Sequence, residues 1–392
     1  MKMELVEKIA NTVLYEGYNL YPYRPSAVKN QRRFNFGVLA PQSYSEAQRG
    51  NESWCMQTEC LLLGDQLTTL DVSVRFLHLG SREVGERIAD CENKGKPLSI
   101  SDADFKAVES LEVDGRIFQA WQEAVEREVK VPTLTIGALT PAPRREVFSF
   151  PPKQEIEPLR NPSGDLAGVI VRNQQAIEGV IELRIADCEL QIVRNERMGT
   201  SSSNEKNPKS EIRNPQLFRV TARVFNPTRF EKAAQRSRDE ALMYSLVSTH
   251  TILSVRDGEF VSAIDPPEEF RESAALCQNI GTWPVLVGES QERDLVLSSP
   301  IILYDYPQIA PESADDLFDG TEIDEILMLR ILTMTEEEKR EMREVDERTR
   351  QILERAETLS SEELMKLHGA LRSLRTVTTD QDERMGMASA GR

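Results

Sequence analysis

Five cysteines and three histidines are the side chains best suited to hold a metal or attack a substrate, so their spacing is tested first. Cys55 and Cys60 lie five residues apart with no second close pair nearby, whereas a structural zinc site draws on two close pairs. On a strand, an odd separation sends two side chains to opposite faces, so these two read as free thiols. Cys91, Cys188 and Cys277 stand far from them and from one another. An odd, thinly spread set in a long chain fits a reducing compartment better than a disulfide framework. His78 and His250 fall in strand-like runs, and His368 sits beside a leucine stripe. None has a neighbouring Cys, Ser or Asp that would make it a general base, and structural roles are expected. No catalytic, metal or cofactor residue is assigned on this reading. Were an enzyme site assembled from distant residues, Glu59, His78, Asp305 and Asp319 would be its nominal carboxylate and imidazole candidates.

Two compositions stand out. The stretch Pro311–Glu325 holds Glu312, Asp315, Asp316, Asp319, Glu322, Asp324 and Glu325, but without the alternating Asp, central Gly and twelfth-position Glu of a calcium loop. Acids of this kind suit helix starts, and a solvated acidic face is expected there. The run Tyr15–Arg33 carries Tyr15, Tyr18, Tyr21 and Tyr23 with Arg24, Lys29, Arg32 and Arg33, placing amphipathic rings beside basic groups. Tyrosine and arginine are enriched where proteins dock, and the alternative is that the rings pack a helix onto the body. Gly37, Gly64 and Gly80 stand singly, so no phosphate-cradling loop or dinucleotide fingerprint is present.

These groups must be positioned by a β-rich body. Val72, Val74 and Phe76 alternate, as do Phe34, Phe36 and Val38, and Phe218, Val220, Ala222 and Val224. Val180, Ile181, Leu183 and Ile185 lead on to Leu190, Ile192 and Val193. Period two with polar partners predicts antiparallel strands with one buried face. Asp257-Gly258 inside Ile252–Val261 predicts a tight hairpin. Helices are expected at Asp102–Glu109, Ile117–Glu128, Arg236–Leu246 and Glu268–Asn279, spaced too irregularly for a βαβ repeat. Leu5, Ile9 and Val13 form the stripe of a short amphipathic helix that docks on the body.

The fold class is therefore α+β: a large antiparallel β-rich body with peripheral helices and an all-helical C-terminal segment. Residues 1–33 form the N-terminal helix and tyrosine-rich loop, 34–310 the body, 311–375 the acidic helical segment and 376–392 a disordered tail. Helix starts are marked at Thr321–Asp324, Thr335–Glu338 and Ser360–Glu363, the last leading a Leu364, Leu367, Leu371, Leu374 stripe. Within the body, 199–215 repeats Asn-Pro at a seven-residue interval and is nearly free of large apolar residues. It is expected to be a disordered excursion between two strands.

With 48 basic and 65 acidic side chains the chain carries a formal charge of −17. Phosphate backbones and anionic lipid surfaces would repel it at long range, so nucleic acid is not an expected partner. The opening Met1–Lys8 holds no secretory apolar run, and Leu295–Leu303 is interrupted by Ser298, Ser299 and Pro300. Direct membrane insertion is not expected, and the cytoplasm is the expected location.

The runs Leu14–Ala27, Phe36-Gly37-Val38, Met56–Leu61, Leu297–Asp305, Leu317–Leu327 and Leu367-His368-Gly369 resemble an uncharacterised bacterial protein family encoded in nickel–iron hydrogenase gene clusters. The resemblance covers most of the chain, with Asn207–Pro215 departing from it, and brings no assigned catalytic or metal-binding residue. It implies a non-catalytic accessory role in hydrogenase assembly or operation, through contact with a hydrogenase subunit or maturation factor. The contact residues expected are Tyr15, Tyr18, Tyr21, Tyr23, Arg24, Arg32, Arg33, Tyr304, Asp305, Asp319 and Glu322. A permanent structural subunit of a larger complex is the remaining alternative.

Overall fold

The computed structural model of the protein describes residues 2–15, 35–88, 105–188, 216–307, 331–343 and 347–358. Period-two alternation becomes strand through most of this length. Strands β1 (Cys55–Gly64), β2 (Thr69–Arg87), β3 (Phe105–Val108), β4 (Ser110–Val113), β5 (Arg116–Gln119) and β6 (Trp121–Thr135) come first. β7 (Arg144–Phe150), β8 (Lys153–Arg160), β9 (Leu166–Gln174), β10 (Ile177–Cys188) and β11 (Gln216–Phe225) follow. β12 (Val247–Arg256), β13 (Glu259–Phe260), β14 (Trp283–Leu286) and β15 (Leu295–Ser299) complete the described set.

They build two main sheets. One has five strands in the order β13-β1-β11-β10-β7; the other runs β14-β15-β12-β2-β9-β8, with β3 and β6 also joined to β2. The named pairings are antiparallel, as alternation with one polar face requires. Met56, Cys60 and Leu62 of β1 and Phe218, Val220, Ala222 and Val224 of β11 share one core with Val72, Val74 and Phe76 of β2 and Leu253 and Val255 of β12. Each such Val, Leu or Phe contributes about 1.5–3 kcal/mol by leaving water.

Five- to fourteen-residue helices decorate this frame: α1 (Lys2–Tyr15), α2 (Gln42–Ala47), α4 (Arg238–Leu242) and α5 (Arg271–Ala275), with the single turn α3 at Ile136–Leu139. The expected N-terminal stripe is realised: Val6, Ile9, Ala10 and Val13 bury against Ile252, Val285, Val287, Leu295 and Leu297. Leu5's side chain lies outside the described residues. Ser237 caps α4 through a reciprocal pair, the Glu240 N–H donating to Ser237 Oγ at 3.2 Å and the Ser237 N–H to Glu240 Oε2 at 2.8 Å. The helices expected at 236–246 and 268–279 thus shrink to α4 and α5.

Three expectations are overturned. Asp102–Glu109 and Ile117–Glu128 are not helical where described: they hold β3, β5 and much of β6. Glu123, Glu126 and Glu128 favour helix in isolation, but β6 pairs with β2 from Arg82↔Trp121 to Thr69↔Thr135, and that tertiary ladder prevails over propensity. The 34–38 alternation forms no named strand; from Asn35 the chain is irregular apart from a bridge between Leu39 and Leu246. Asp257-Gly258 does turn the chain, with Asp257 at φ 60°, yet it makes no hairpin. β12 pairs with β2 and β15, whereas β13 pairs with β1, so the turn passes the chain from one sheet to the other. Gly258 is needed there because a Cβ would lie 2.7 Å from Thr68 Cγ2 and 3.0 Å from the Leu63 carbonyl oxygen.

Of the acidic C-terminal segment, α6 (Glu336–Arg343) and α7 (Glu347–Thr358) are described. The expected cap on α6 is present: the Glu338 N–H donates to Thr335 Oγ1 at 3.2 Å and the Thr335 N–H to Glu338 Oε2 at 2.8 Å. The starts at Thr321 and Ser360, the excursion at 199–215 and the tail at 376–392 lie outside the described residues. No described helix is long and apolar enough to cross a membrane.

Candidate functional site

Alternation along the five-stranded sheet sends Cys60, Val220 and Leu183 into the core and their sequence neighbours to the opposite face. Register then aligns those neighbours in rows. Gln57, Arg223, Glu182 and Arg145 lie side by side across four strands; Glu59, Thr221 and Arg184 form the next row, and Leu61, Arg219 and Ala186 the one after. Within these three rows four arginines meet two carboxylates, Glu59 and Glu182, while Glu178 and Glu259 lie on the same face outside them.

Glu182 is only 5% exposed and organises the arginines. Arg184 Nε donates to Glu182 Oε1 at 2.8 Å, Arg145 Nε lies 3.0 Å from Oε2, and Arg223 approaches Oε1 at 3.8 Å. Arg223 Nε also donates to Gln57 Oε1 at 2.6 Å. Burying a carboxylate is tolerable only with such partners. The guanidinium groups remain reachable: the side chains of Arg145 and Arg184 are 66% and 52% exposed. Val147, on the same face of edge strand β7, is also largely exposed.

The other half of this face is covered. Phe270 and Cys277 pack with Leu61, Leu217 and Cys188, and the chain then follows the edge of β1, bridging Ile280 to Gln57. Glu59 accepts from Thr221 Oγ1 at 3.0 Å and from the Gln278 N–H at 2.8 Å, with Arg219 Nε 4.0 Å away. Burial, with Glu59 nearby, pushes the Cys277 thiol up to about 11, and burial also pushes the Cys60 thiol up. Both stay protonated and poorly nucleophilic near neutral pH. Cys55, Cys60, Cys188 and Cys277 are free.

Of the expected contact residues, Tyr304 and Asp305 have described side chains, and neither lies in these rows. Tyr304 is 84% exposed on the chain after β15. Asp305 anchors that chain, accepting from Ser262 Oγ and from the Leu286 N–H at 2.8 Å. The side chain of Tyr15, together with Tyr18, Tyr21, Tyr23, Arg24, Arg32, Arg33, Asp319 and Glu322, lies outside the described residues. Nor do Glu59, His78 and Asp305 converge. Glu59 is on the face opposite the core, Asp305 holds a loop, and the His78 ring lies 6.4 Å from the Phe150 ring, which itself packs against the shared core. Among the described residues no cluster of three or more His, Cys, Asp or Glu could hold a metal ion.

Arg145, Arg184, Arg219 and Arg223 escaped sequence reasoning because they are scattered along the chain and only strand register unites them. The legible signal was their place at polar positions of alternating runs such as Leu217–Phe225. No protein-family model matches the chain, and no curated protein matches it.

Proposed function

We propose that the protein is a cytoplasmic, non-catalytic accessory protein that docks an acidic surface of a partner on the outer face of its five-stranded sheet. The partner proposed is a nickel–iron hydrogenase subunit or maturation factor. The observation that carries the docking mode is the Glu182-centred arginine group, held in fixed geometry yet solvent-accessible. Guanidinium groups already braced by a buried carboxylate lose little freedom when a second carboxylate arrives, and their planar forks suit bidentate contact. The resemblance of the sequence runs quoted above supports the hydrogenase context. The aromatic–basic run 15–33 and the stretch 298–325 would supply further contacts to a partner.

The test is co-purification of hydrogenase subunits with tagged protein, comparing wild type with the double variant Arg184→Glu, Arg223→Glu; both arginines brace the buried Glu182, so a loss of capture counts only with an unchanged melting temperature. Exposed charge contacts are worth about 0.2–1 kcal/mol each and reversal adds repulsion, so affinity should fall about tenfold or more. The wild-type interaction should also weaken with salt. Undiminished capture by the variant would remove the arginine face from the mechanism. A deletion strain whose hydrogenase matures and works normally would remove the hydrogenase context.

A further inference from the structure

A sheet edge is a row of unpaired N–H and C=O groups, and proteins blunt it with prolines, bulges, projecting charges, short strands or covering chain. Most described edges of this fold are treated in that way. β6 carries Pro132 at a register shift between Leu70 and Val72 of β2, and β8 carries Pro158 beside a shift between Leu159 and Arg160. β14 is covered by the chain after β15: the Tyr306 N–H donates to the Leu286 carbonyl at 2.7 Å, and the Leu286 N–H to Asp305 Oδ1 at 2.8 Å. β13 is two residues long, and β3, β4 and β5 are four each.

β7 is treated otherwise. It ends the five-stranded sheet and pairs with β10 in unbroken register from Arg144↔Leu183 to Phe150↔Ile177; among the described residues no other strand pairs with it. Its seven residues contain no proline, although Pro143 and Pro151 bracket them. Its charges do not guard the edge, because Arg145 turns back over its own sheet to Glu182 and Arg144 pairs with Glu146 at 3.0 Å. Val147 is 72% exposed. Alternate residues of an antiparallel strand point N–H and C=O away from its one neighbour, so β7 offers a ladder to an outside chain.

We infer, resting on the docking reading above, that β7 takes up an extended segment of the protein partner as an added strand, an acidic residue beside Arg145 and an apolar one beside Val147. In strand addition, main-chain bonds supply affinity and alternate side chains supply specificity. The rows of the outer face set the pattern. The acid extends the row Gln57, Arg223, Glu182, Arg145, where it meets an exposed guanidinium while the row's own carboxylate is buried. Beside Val147 on β10 lies Val180, and beside Ser149 lies the exposed Glu178, which repels a second acid there. The incoming strand therefore reads acid, any, apolar, any, uncharged, in a ladder that the two prolines confine to the length of β7. A second copy is the disfavoured occupant, because two chains of charge −17 repel each other.

The test is fluorescence-polarisation titration of the full chain with blocked, dye-labelled seven-residue peptides. The probe has glutamate, valine and threonine at its second, fourth and sixth positions and threonine elsewhere. A control of the same composition exchanges the glutamate with a neighbouring threonine, which moves the acid to the opposite face. Saturable binding of the probe is expected, weakened about tenfold or more in the control. Of two probes N-methylated at alternate backbone nitrogens, the one whose methyl groups point at β7 should lose about tenfold or more, and the other should bind like the parent. Val147→Glu, at an exposed position, should weaken binding similarly with an unchanged melting temperature. No saturable binding, equal binding of probe and control, equal effects of the two methylation patterns, or binding undiminished by Val147→Glu would overturn strand addition. So would a dimer in sedimentation velocity that Val147→Glu dissolves, since the edge then belongs to a second copy. Hydrogenase capture that depends on Arg184 and Arg223 while the peptides fail removes the added strand and keeps the docking face; peptide binding without that dependence does the reverse.

Discussion

Acidifying the protein from pH 6.5 towards pH 4 is expected to remove several kcal/mol of folding stability through two histidines alone. His78 and His250 are both fully buried, and burial is the first cause holding each ring's pKa down from 6.5 to about 4. The Arg127 guanidinium depresses His78 further, while the Gln175 backbone opposes it. For His250 the Ser248 carbonyl, 3.0 Å from Nδ1, pulls the value up and Arg75 pulls it down, with Glu126 opposing Arg75. Both rings are therefore neutral in the native protein at neutral pH. The unfolded chain takes up protons below about pH 6.5 that the native state refuses until about pH 4. The stability is complete above 6.5, falls through that window and is gone below it, about 3 kcal/mol for each ring. Urea unfolding at pH 7.5, 5.5 and 4.5 would read the slope. His78→Phe, which suits the ring cluster of Phe76, Phe148 and Phe150, should flatten it relative to wild type. Carboxylates contribute equally to both proteins and cancel in that comparison; parallel slopes would sink the assignment.

Replacing Gly179 by alanine is expected to cost about 2–4 kcal/mol. Gly179 on β10 faces Phe148 on β7, and a Cβ there would lie 2.0 Å from Phe148 Cζ. The ring lies across the bare glycine and stacks on Phe76, with centroids 5.8 Å apart, and edge-on to Phe150 at 6.1 Å. A methyl group forces the ring out of this cluster, which loses burial worth about 1.5–3 kcal/mol and aromatic pairing worth about 0.5–1.5 kcal/mol. The diagnostic is a double-mutant cycle with Phe148→Ala: once the ring is gone, Gly179→Ala should cost little. Strictly additive losses would show that the glycine matters for some other reason.

Much of the frame was legible in the residues. The alternations at 72–76 and 218–224 became core strands, the Ile9–Val13 stripe became the buried face of a helix, and Thr335–Glu338 became a reciprocal cap. β6 was not legible, because its glutamates suit a helix and only the ladder to β2 reveals a strand. The Asp257-Gly258 turn was visible, but not which sheet each flanking strand would join. The arginine face was not visible at all, because it exists only in cross-strand register.

Strands β10 and β11 of the arginine face meet at one end in the pair Cys188↔Leu217, so the chain between them starts and finishes at neighbouring points of the sheet. Closure entropy grows only logarithmically, about 0.6 kcal/mol for each doubling of length. A fluorescent reporter inserted between Cys188 and Leu217 is therefore expected to leave the surrounding ladder intact, which offers a way to watch the molecule in living cells.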